Sequence, residues 1–380
     1  MSQEQPGVRR LVVVLAIAIL LTLCACTQEH APEASYSTTQ YSLSISDDKV
    51  VSSVDWVVNV EKDPERDFVI LNFTDIQLGT SSYIVGSERM KTMIKALIEK
   101  VQPDLITMTG DMSYGCGPAI YGICSYIDSF GIPWAPIYGN HDMENSGMSP
   151  TTLAKVLNNY SNCLFKDGPV NLIVDPNYNV DGKGNYVVNV VEKGNDGFKV
   201  IKSLVFFNSC TEGITELQMS WYQDCMDSVQ QYGEGGVVSS VAFMHIPLPE
   251  YLDAAYAAFK TWNVSLAETY TTSAWESGYE NSFGAWHSGV DYRESFAGAA
   301  DIFKSKGNDL VVCGHNHKNC YCIDYDGMTY LYALKTGTGH SYEEGMEGGT
   351  EIKISGTGDF AVRHCFFYDN HGCYYTPQSF

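Results

Sequence analysis

Five short apolar stretches in this chain are each followed at once by side chains that bind metal ions, and this restricts the fold more than any other feature. Short apolar runs bounded by Gly are typical of buried strands. In open α/β sheets, functional sites lie at the carboxyl ends of the strands. The pattern therefore predicts an α/β protein with one polar sheet edge. The stretches and following groups are Phe68–Phe73 with Asp75 and Gln77, Leu105–Thr109 with Asp111, Trp134–Tyr138 with Asn140, His141 and Asp142, Val237–Met244 with His245, and Leu310–Cys313 with His315 and His317.

The composition limits the kind of partner this edge can bind. The chain has 380 residues, 44% of them hydrophobic, which is enough for a large core. It carries 23 basic and 45 acidic residues, a net charge of −22. Such an acidic balance argues against a nucleic acid partner. A small phosphorylated substrate stays compatible, because bound metal ions would dominate the local field.

Residues 1–26 have the plan of an export signal. Arg9 and Arg10 precede an apolar run from Leu11 to Leu23, and small residues follow it. The ending Leu23-x-Ala25-Cys26 resembles the bacterial lipoprotein box, which would make Cys26 the lipidated first residue of the mature protein. A single membrane span is the alternative, but a span needs about 20 apolar residues and this run is shorter. We expect an exported, extracytoplasmic protein that is anchored to the bacterial cell membrane through Cys26.

The rest of the chain divides into two predicted parts. Residues 27–60 are expected to form a tether and a peripheral hairpin, and residues 61–380 a single domain. When Cys24 and Cys26 are set aside, ten of the 12 cysteines remain, an even number that predicts disulfides in an exported protein. Connectivity stays open. The pairs that lie close enough in sequence are Cys116 with Cys124, Cys210 with Cys225, and Cys365 with Cys373.

Periodicity places the other elements between the five strands. It predicts two hairpins, at 185–208 and 321–334, and further strands within 350–367. Residues Thr269 to Tyr292 are aromatic, contain Gly and show no clear period. A long loop of this kind predicts a wall or lid over the site, with surface packing as the alternative. Helices are predicted at 90–101, 119–130, 150–160, 215–232, 251–262 and 291–306.

The types of candidate ligand define the chemistry. Asp, Asn, Gln and His suit divalent Mn, Fe or Zn. So many ligands predict two ions about 3.5–4 Å apart that share one carboxylate, lower the pKa of a bridging water and hold both oxygens of an in-line displacement at phosphorus. His141 is a candidate general acid, and Asp142 is placed to orient or charge it. The candidate ligands are Asp75, Gln77, Asp111, Asn140, His245, His315 and His317.

As an ordered set, these motifs resemble the calcineurin-like metallophosphoesterase family, and the sequence around His245 and His315 resembles its purple-acid-phosphatase-like branch. The resemblance implies an α/β fold, a four-layer αββα sandwich of two mixed β-sheets, with a dinuclear metal site at the carboxyl edge of the strands. It implies His141 as the proton donor or as a stabiliser of the transition state, and Asp111 as the bridge. It further assigns Asp75, Gln77, Asp111 and His317 to the first metal, and Asn140, His245 and His315 to the second.

One position departs from the family pattern, because Gln77 stands where the family usually has His. A Gln carbonyl can coordinate a hard ion such as Mn, and the Asp-x-Gln variant resembles manganese-dependent nucleoside-diphosphate-type pyrophosphatases of this superfamily. The alternative is that Gln77 only donates hydrogen bonds to the ligands. Tyr114 fits the Gly-Asp-x-x-Tyr pattern through which purple acid phosphatases bind ferric iron. A packed Tyr114 ring with a hydrogen-bonded hydroxyl is the favoured interpretation.

Three functions follow from this interpretation. The leading prediction is a phosphomonoesterase that works by attack of the metal-bridging hydroxide on phosphorus. The second is a phosphodiesterase or nucleotide diphosphatase with the same site. The third is a non-catalytic metal-binding surface lipoprotein, in which Gln77 would be the first lost ligand.

Overall fold

The computed structural model describes residues 40–79, 87–144, 148–170, 172–175, 180–195, 197–259, 282–338 and 341–377. The predicted export signal, Cys26 and the tether as far as residue 39 lie outside these ranges, and so do residues 269–281 of the predicted wall. Within the described ranges, no helix has the length and apolar character that crossing a bilayer requires.

The described residues form strands and helices in mixed order along the chain. The helices are α1 Ser87–Val101, α2 Gly117–Asp128, α3 Asn140–Glu144, α4 Pro150–Leu157, α5 Glu216–Val229, α6 Glu250–Ala258 and α7 Ala299–Ser305. The strands are β1 Leu43–Ser46, β2 Lys49–Ser52, β3 Val57–Glu61, β4 Phe68–Phe73, β5 Leu78–Gly79, β6 Leu105–Thr109, β7 Ser113–Tyr114, β8 Trp134–Ile137, β9 Ile173–Asp175, β10 Val180–Asp181, β11 Tyr186–Gly194, β12 Gly197–Phe206, β13 Ser239–Phe243, β14 Asn308–Cys313, β15 Cys322–Tyr325, β16 Met328–Tyr332, β17 Gly348–Ile354, β18 Phe360–Tyr368 and β19 Gly372–Tyr374.

Two large mixed sheets contain most of the strands. One has six strands in the order β19-β18-β17-β4-β6-β8, and β4, β6 and β8 run parallel in it. The other has seven strands in the order β15-β16-β14-β13-β12-β11-β3, and β12, β13, β14 and β16 run parallel. Parallel strands end at the same edge of a sheet. The carboxyl ends of seven strands therefore collect at two sheet edges.

The two sheets pack face to face, with helices on their outer faces. The hydroxyl of Tyr186 in β11 donates to the carbonyl of Pro136 in β8 across 2.8 Å, which joins one sheet to the other. Within the seven-stranded sheet, the Phe206 ring stacks on Tyr186 and on Phe243 at 4.7 and 4.9 Å. Helix α1 packs on the six-stranded sheet, and α5 and α7 pack on the seven-stranded sheet. The predicted four-layer αββα sandwich is confirmed.

Local sequence fixes where the helices begin. Ser149 caps α4 by accepting the Thr152 amide, and Pro150 occupies the first turn, where its missing N–H costs nothing. Thr215 and Gln218 form a capping box at the start of α5. Both caps lie next to the starts predicted from the sequence.

Three predictions need correction. The peripheral hairpin is present as β1 and β2, but β3 is the edge strand of the seven-stranded sheet, so the domain begins before residue 61. The predicted helix at 291–306 forms only as α7, because Asp291 to Gly298 is made of turns and Arg293 has a φ of 46°.

The predicted disulfides are also not formed. The ten cysteines of the described residues are free thiols. Cys116 is the N-cap of α2 and Cys124 lies eight residues further along the same helix. At 1.5 Å per residue their Cα atoms stand roughly 12 Å apart, beyond the reach of a disulfide. Cys365 and Cys373 do approach each other, and their thiols are hydrogen-bonded.

Candidate metal centre

The polar groups predicted at the strand ends lie together where the carboxyl edges of the two sheets meet. The loops after β4 and β6 are tied by hydrogen bonds from the Asp75 amide to the Gly110 carbonyl and from the Gln77 amide to the Asp111 carbonyl, at 3.1 and 2.9 Å. The loop after β13 is tied to the loop after β14 by the Gly314 amide, which donates to the His245 carbonyl. Main-chain hydrogen bonds alone therefore hold these loops in pairs next to each other.

Asp75, Asp111 and His245 form the centre of this cluster. A carboxylate oxygen from each aspartate and a ring nitrogen of His245 all lie within 4.8 Å of one another, and all three residues are buried. Two buried carboxylates at this distance repel each other unless positive charge lies between or beside them. The cluster is therefore built for a cation.

The His245 ring is held in the orientation that a metal ligand requires. Its Nδ1 lies 2.8 Å from the carbonyl oxygen of Thr109, so Nδ1 carries the proton and donates. Its Nε2 faces Oδ1 of Asn140 at 3.2 Å and Oδ1 of Asp111 at 3.4 Å. A backbone carbonyl behind a ligating histidine is a usual way to fix its tautomer. Three atoms that can donate an electron pair thus converge on one point.

The acid–base properties of this trio agree with a cation site. Burial raises the pKa of the Asp111 carboxyl, but His245 more than offsets it and the pKa falls to about 2. Burial lowers the pKa of His245, but the carboxylates of Asp111 and Asp75 raise it to about 9. Without a metal, a proton on His245 offsets one of the two carboxylate charges. A divalent ion would take the place of that proton, as metal binding to histidine does in general.

The two histidines after β14 reach the same cluster from the other side. His317 directs Nε2 to Oδ1 of Asp75 at 3.3 Å, and its Nδ1 lies 2.8 Å from the Ser341 carbonyl. The main-chain amide of His315 donates to the Asp75 carboxylate at 3.0 Å, and its Nε2 lies 3.2 Å from Oδ2 of Asp291. The pKa of Asp75 is held well below its usual range, because His317 outweighs the effect of burial.

Close packing of the loops requires glycine at two positions. A Cβ added at Gly139 would lie 2.1 Å from Oδ1 of Asp111, and one at Gly314 would lie 2.5 Å from Oδ2 of Asp75. Asp75, Gln77, Asp111 and His315 themselves have positive φ values of 50°, 48°, 53° and 74°. Strained backbone of this kind persists where surrounding structure enforces it, and it clusters at functional sites.

Gln77 lies in the cluster, but its oxygen is already engaged. Its Nε2 donates to Oδ2 of Asp111 at 2.9 Å, while its Oε1 accepts from Nζ of Lys335 at 3.1 Å. Nζ of Lys335 also donates to the Asp75 carbonyl at 2.7 Å. Burial lowers the pKa of Lys335 to about 8, although Asp75 and Asp111 act to raise it. In this arrangement Gln77 presents its amide nitrogen, not its oxygen, to the carboxylates.

Asn140, His141 and Asp142 begin the short helix α3. Oδ1 of Asn140 faces His245, and the amide of His141 donates to Oδ1 of Asp111 at 2.9 Å. The His141 ring lies at the more exposed side of the cluster, with its centroid 4.7 Å from that of Tyr114. The structure thus places Tyr114 against the candidate general acid.

The contacts of Asp142 differ from the predicted ones. Its carboxylate accepts from the amides of Met112, Ser113 and Gly139, at 3.2, 2.9 and 3.0 Å. Burial and the nearby Asp111 raise its pKa to about 7. These contacts tie the loop after β6 to the loop after β8. The described hydrogen bonds of Asp142 therefore hold the two loops together, while its role toward the His141 ring stays a prediction.

Two residues of the site were missed from the sequence. Lys335 follows the end of β16, and its only signal is that it stands in the Leu-Lys-Thr-Gly stretch after an apolar strand. Asp291 was placed in a predicted helix, but it lies in a turn beside His315. Asp291 contacts the ring of His315, and Lys335 contacts the main chain of Asp75 and the side chain of Gln77.

The side chains gathered at the strand ends have the chemistry of a metal centre. Nε2 of His245 faces an oxygen of Asp111 and an oxygen of Asn140, and when His245 is neutral all three atoms offer an electron pair to the space between them. Carboxylate, amide oxygen and imidazole together suit Mn, Fe or Zn. The residues fit a divalent ion, with Gln77 as the one member turned away.

Comparison with known proteins agrees with this chemistry. The family description "calcineurin-like phosphoesterase" matches residues 68–319. The chain is 26% identical over 325 residues to phosphatase DCR2 of Saccharomyces cerevisiae, covering 78% of this chain and 52% of that protein. It is 28% identical over 275 residues to probable inactive purple acid phosphatase 28 of Arabidopsis thaliana, covering 63% and 59%. The chain thus spans little more than half the length of these relatives.

A solved structure with a similar arrangement is a dimetal phosphatase from Danio rerio. It has a TM-score of 0.42 and 10% sequence identity, and the match covers 82% of this chain and 99% of that one. The family description, by contrast, matches residues 68–319, a range that begins with β4, just before Asp75, and ends in the loop that carries His317. The chain therefore belongs to the calcineurin-like phosphoesterase family, whose metal-dependent hydrolysis of phosphoric esters its strand-end motifs indicated.

Proposed function

We propose that this chain is a dinuclear metal-dependent phosphomonoesterase. The observation that carries the proposal is the buried convergence of Asp75, Asp111 and His245, with the His245 tautomer fixed by the Thr109 carbonyl. Asp111 would be shared between two divalent ions, with Mn, Fe and Zn as the candidates. Asn140, His245 and His315 would complete one ion's ligands, and Asp75 and His317, with Gln77 beside them, would hold the other.

The protein's own groups then have separate tasks. When bound, divalent ions at such a site supply an activated water and neutralise phosphate charge. The Asp111 carboxylate accepts the amide N–H of His141, so the position of His141 follows the position of the carboxylate that two ions would share. His141 would donate a proton to the leaving oxygen, a contribution that is typically worth about 10²–10⁴ in rate. The backbone contacts of Asp142 keep the His141 loop against the Asp111 loop.

The preference for a monoester has support of a different kind. Phosphatase DCR2, over half of whose length aligns with this chain, is named as a phosphatase. The net charge of −22 disfavours long polyanions, whereas a small phosphate ester can reach ions in a buried site. A phosphodiesterase or nucleotide diphosphatase would use the same groups, and the two classes are distinguished by assay.

A non-catalytic metal-binding protein is the second candidate. It is favoured by Gln77, whose oxygen is held by Lys335 rather than offered to an ion. The Arabidopsis relative is named "probable inactive" purple acid phosphatase 28. Against this candidate stand His141 and the six other predicted ligands, which are all present in the sequence, and the close grouping of Asp75, Asp111 and His245.

The test is hydrolysis by the full chain, purified in mild detergent and stripped of metal. Mn, Fe, Zn and Ca are added back separately, with phosphomonoester, phosphodiester and nucleotide-diphosphate substrates side by side. Turnover that metal restores and Asp111→Asn abolishes is expected, fastest with the monoester. Faster hydrolysis of another ester class would replace the monoesterase proposal. A folded protein that binds metal without any turnover would favour the non-catalytic candidate.

The place of action is a separate proposal. We propose that the chain is exported and anchored through lipidated Cys26, on the basis of the lipobox-like ending Leu23-x-Ala25-Cys26. Cells that express Cys26→Ser are expected to lose incorporation of labelled fatty acid into the protein, while Cys24→Ser keeps it. Equal labelling of both variants and of the unchanged protein would contradict the anchor.

A further inference from the structure

The half of the metal centre that contains Gln77 is built differently from the other half. Around Nε2 of His245, the side-chain atoms are two oxygens, Oδ1 of Asp111 and Oδ1 of Asn140, and the N–H that donates to Asp111 Oδ1 there comes from the His141 main chain. Around Gln77, the group that faces Asp111 is an amide N–H, 2.9 Å from Oδ2. Each Asp111 oxygen thus accepts one N–H, but on the Gln77 side the donor is the side chain that would itself have to supply a ligand oxygen. The two halves therefore offer different numbers of available ligand atoms.

Lys335 decides which way the Gln77 amide points. An ammonium group has only donors, so the Gln77 atom at 3.1 Å from Nζ must be the carbonyl oxygen. Asp111 is an acceptor when ionised, so the atom at 2.9 Å from Oδ2 must be the amide nitrogen. A flipped amide would set donor against donor at one end and acceptor against acceptor at the other. Both neighbours thus select the same orientation.

The lysine itself cannot move away easily. It is 2% exposed, and Nζ also donates to the Asp75 carbonyl at 2.7 Å. Its own backbone is anchored, because its carbonyl accepts the Gly348 amide and the Thr336 amide beside it donates to the Thr74 carbonyl. An ion that used the Gln77 oxygen would have to break the bond to Lys335 and would lie close to its positive charge.

We propose that Lys335 sets the metal affinity of one half of the centre: by holding the Gln77 oxygen, it weakens ion binding at Asp75, Gln77 and His317 relative to Asn140, His245 and His315. The inference rests on the dinuclear site proposed above and deepens it. The two ions are then unequal, one held firmly and one exchangeable. Hydrolysis would depend on the free metal concentration in the range that fills the weaker half.

The experiment measures ion content without substrate. The full chain is loaded with Mn, equilibrated with rising chelator concentrations, separated by gel filtration and assayed for bound Mn by atomic emission. The unchanged protein is expected to lose its ions in two steps separated by at least about tenfold in free Mn. Groups that orient metal ligands typically change affinity by about 10–100-fold when mutated, so Lys335→Met should bring the steps together.

A matched control removes a lysine charge from a neighbouring position. Lys318 follows His317 directly, but its Nζ pairs with Glu343 at 3.3 Å and its side chain is 39% exposed. Lys318→Met is expected to keep the two steps apart. Loss of the separation in Lys318→Met as well would show that general charge, not the contact with Gln77, is responsible, and would overturn the proposal.

Two further variants keep the test decisive if Lys335→Met does not fold. Lys335→Gln removes the charge but keeps a donor for the Asp75 carbonyl, and it should narrow the gap. Lys335→Arg keeps the charge and the donors, and it should preserve the gap. A single step in the unchanged protein, or an unchanged gap in the folded neutral variants, would overturn the proposal. Two steps without any ester hydrolysis would instead leave it standing and contradict the proposed catalysis.

Discussion

Two buried lysines lie at opposite edges of this fold, and they are satisfied in different ways. Lys202 lies where β13 and β14 begin, with Nζ bonded to the Asp309 carboxylate, to the Ser239 hydroxyl at 2.8 Å and to the Gly358 carbonyl at 2.7 Å. Lys335 lies where the parallel strands end, and its described bonds go to the Asp75 carbonyl and the Gln77 amide oxygen. One cation has a carboxylate partner, and the other lies near two carboxylates without bonding to either in the described structure.

The difference shows how this fold separates stability from function. At the strand starts, the Asp309 carboxylate neutralises the charge of Lys202, so this edge has no need of an external ion. At the strand ends, Asp75 and Asp111 lie close to the histidines and to each other. The ammonium group of Lys335 donates instead to the main-chain oxygen of Asp75 and to the amide oxygen of Gln77. A site of this kind keeps an excess of negative charge for an external cation.

The largest effect is expected from Asp111→Asn. It should reduce metal-dependent turnover by about 10³-fold, because bound metals contribute several kcal/mol to the transition state. Metal-free stability should fall only modestly, because the substitution removes the attraction of His245 together with the smaller repulsion from Asp75. Turnover and thermal unfolding in chelator check the two parts. A large loss of metal-free stability would mean that the strand-end carboxylates serve folding, as Asp309 does at the other edge.

His141→Gln is expected to have the next effect, about a 10²-fold loss of turnover with unchanged metal content. The reason is that His141 lies beside the cluster and would supply the proton to the leaving oxygen, while its main-chain amide still holds Asp111. Rates with esters of good and poor leaving groups provide the check. The loss should shrink for a leaving group that needs no proton, and an equal loss for both would contradict the role.

Lys202→Met should lower stability and leave the metal centre unchanged, whereas Asp111→Asn should mainly affect the metal centre. Leaving Asp309 without its cation should lower the free energy of unfolding by about 2–3 kcal/mol, less than for a fully buried pair because the Asp309 side chain is 36% exposed. Metal content per folded molecule should not change. Urea unfolding measures the loss, and Lys202→Met with Asp309→Asn should recover part of it. Loss of metal from the folded single variant would show that the two edges are coupled.

The smallest effect concerns acid stability away from the site. Burial lowers the pKa of His364 to about 4 from the ordinary 6.5. The unfolded chain therefore takes up a proton first as pH falls, so stability is present above pH 6.5 and is lost on the way to pH 4. At pH 5 the loss is about 2 kcal/mol. His364→Gln can still bond to Thr350 and to the Cys320 carbonyl, and it should flatten this part of the pH profile in metal-free protein.

Much of the fold could be predicted because its signals are local. Each site strand is a short apolar run, and the polar residue that follows it in sequence also follows it in space. The hairpin at β11 and β12 and the capped starts of α4 and α5 were likewise encoded within a few residues. That Asp75, Asp111 and His245 lie together followed from the rule that parallel strands end at one edge.

The parts that could not be predicted depend on contacts between distant segments. Lys335 and Gln77 are 258 residues apart, and no local pattern shows that a lysine after β16 will turn inward to an amide after β4. The contacts of Asp142 with the loop after β6 could not be predicted, because two of its described hydrogen bonds go to amides some 30 residues away in sequence. The helix predicted at 291–306 was too long, because Arg293 has a φ of 46° and the amides of Glu294 and Phe296 donate to the carbonyls of Glu212 and Ile214 instead of continuing a helix.

Anomalous diffraction from crystals soaked in Mn²⁺ would test the central claim most directly. The strand-end cluster should show a strong peak bounded by Asp111, Asn140, His245 and His315, and a weaker peak on the Asp75 and His317 side, with the Gln77 oxygen still turned to Lys335. The Lys202 edge should show none. Absence of any peak among the strand-end ligands would contradict the account of this edge as a metal centre.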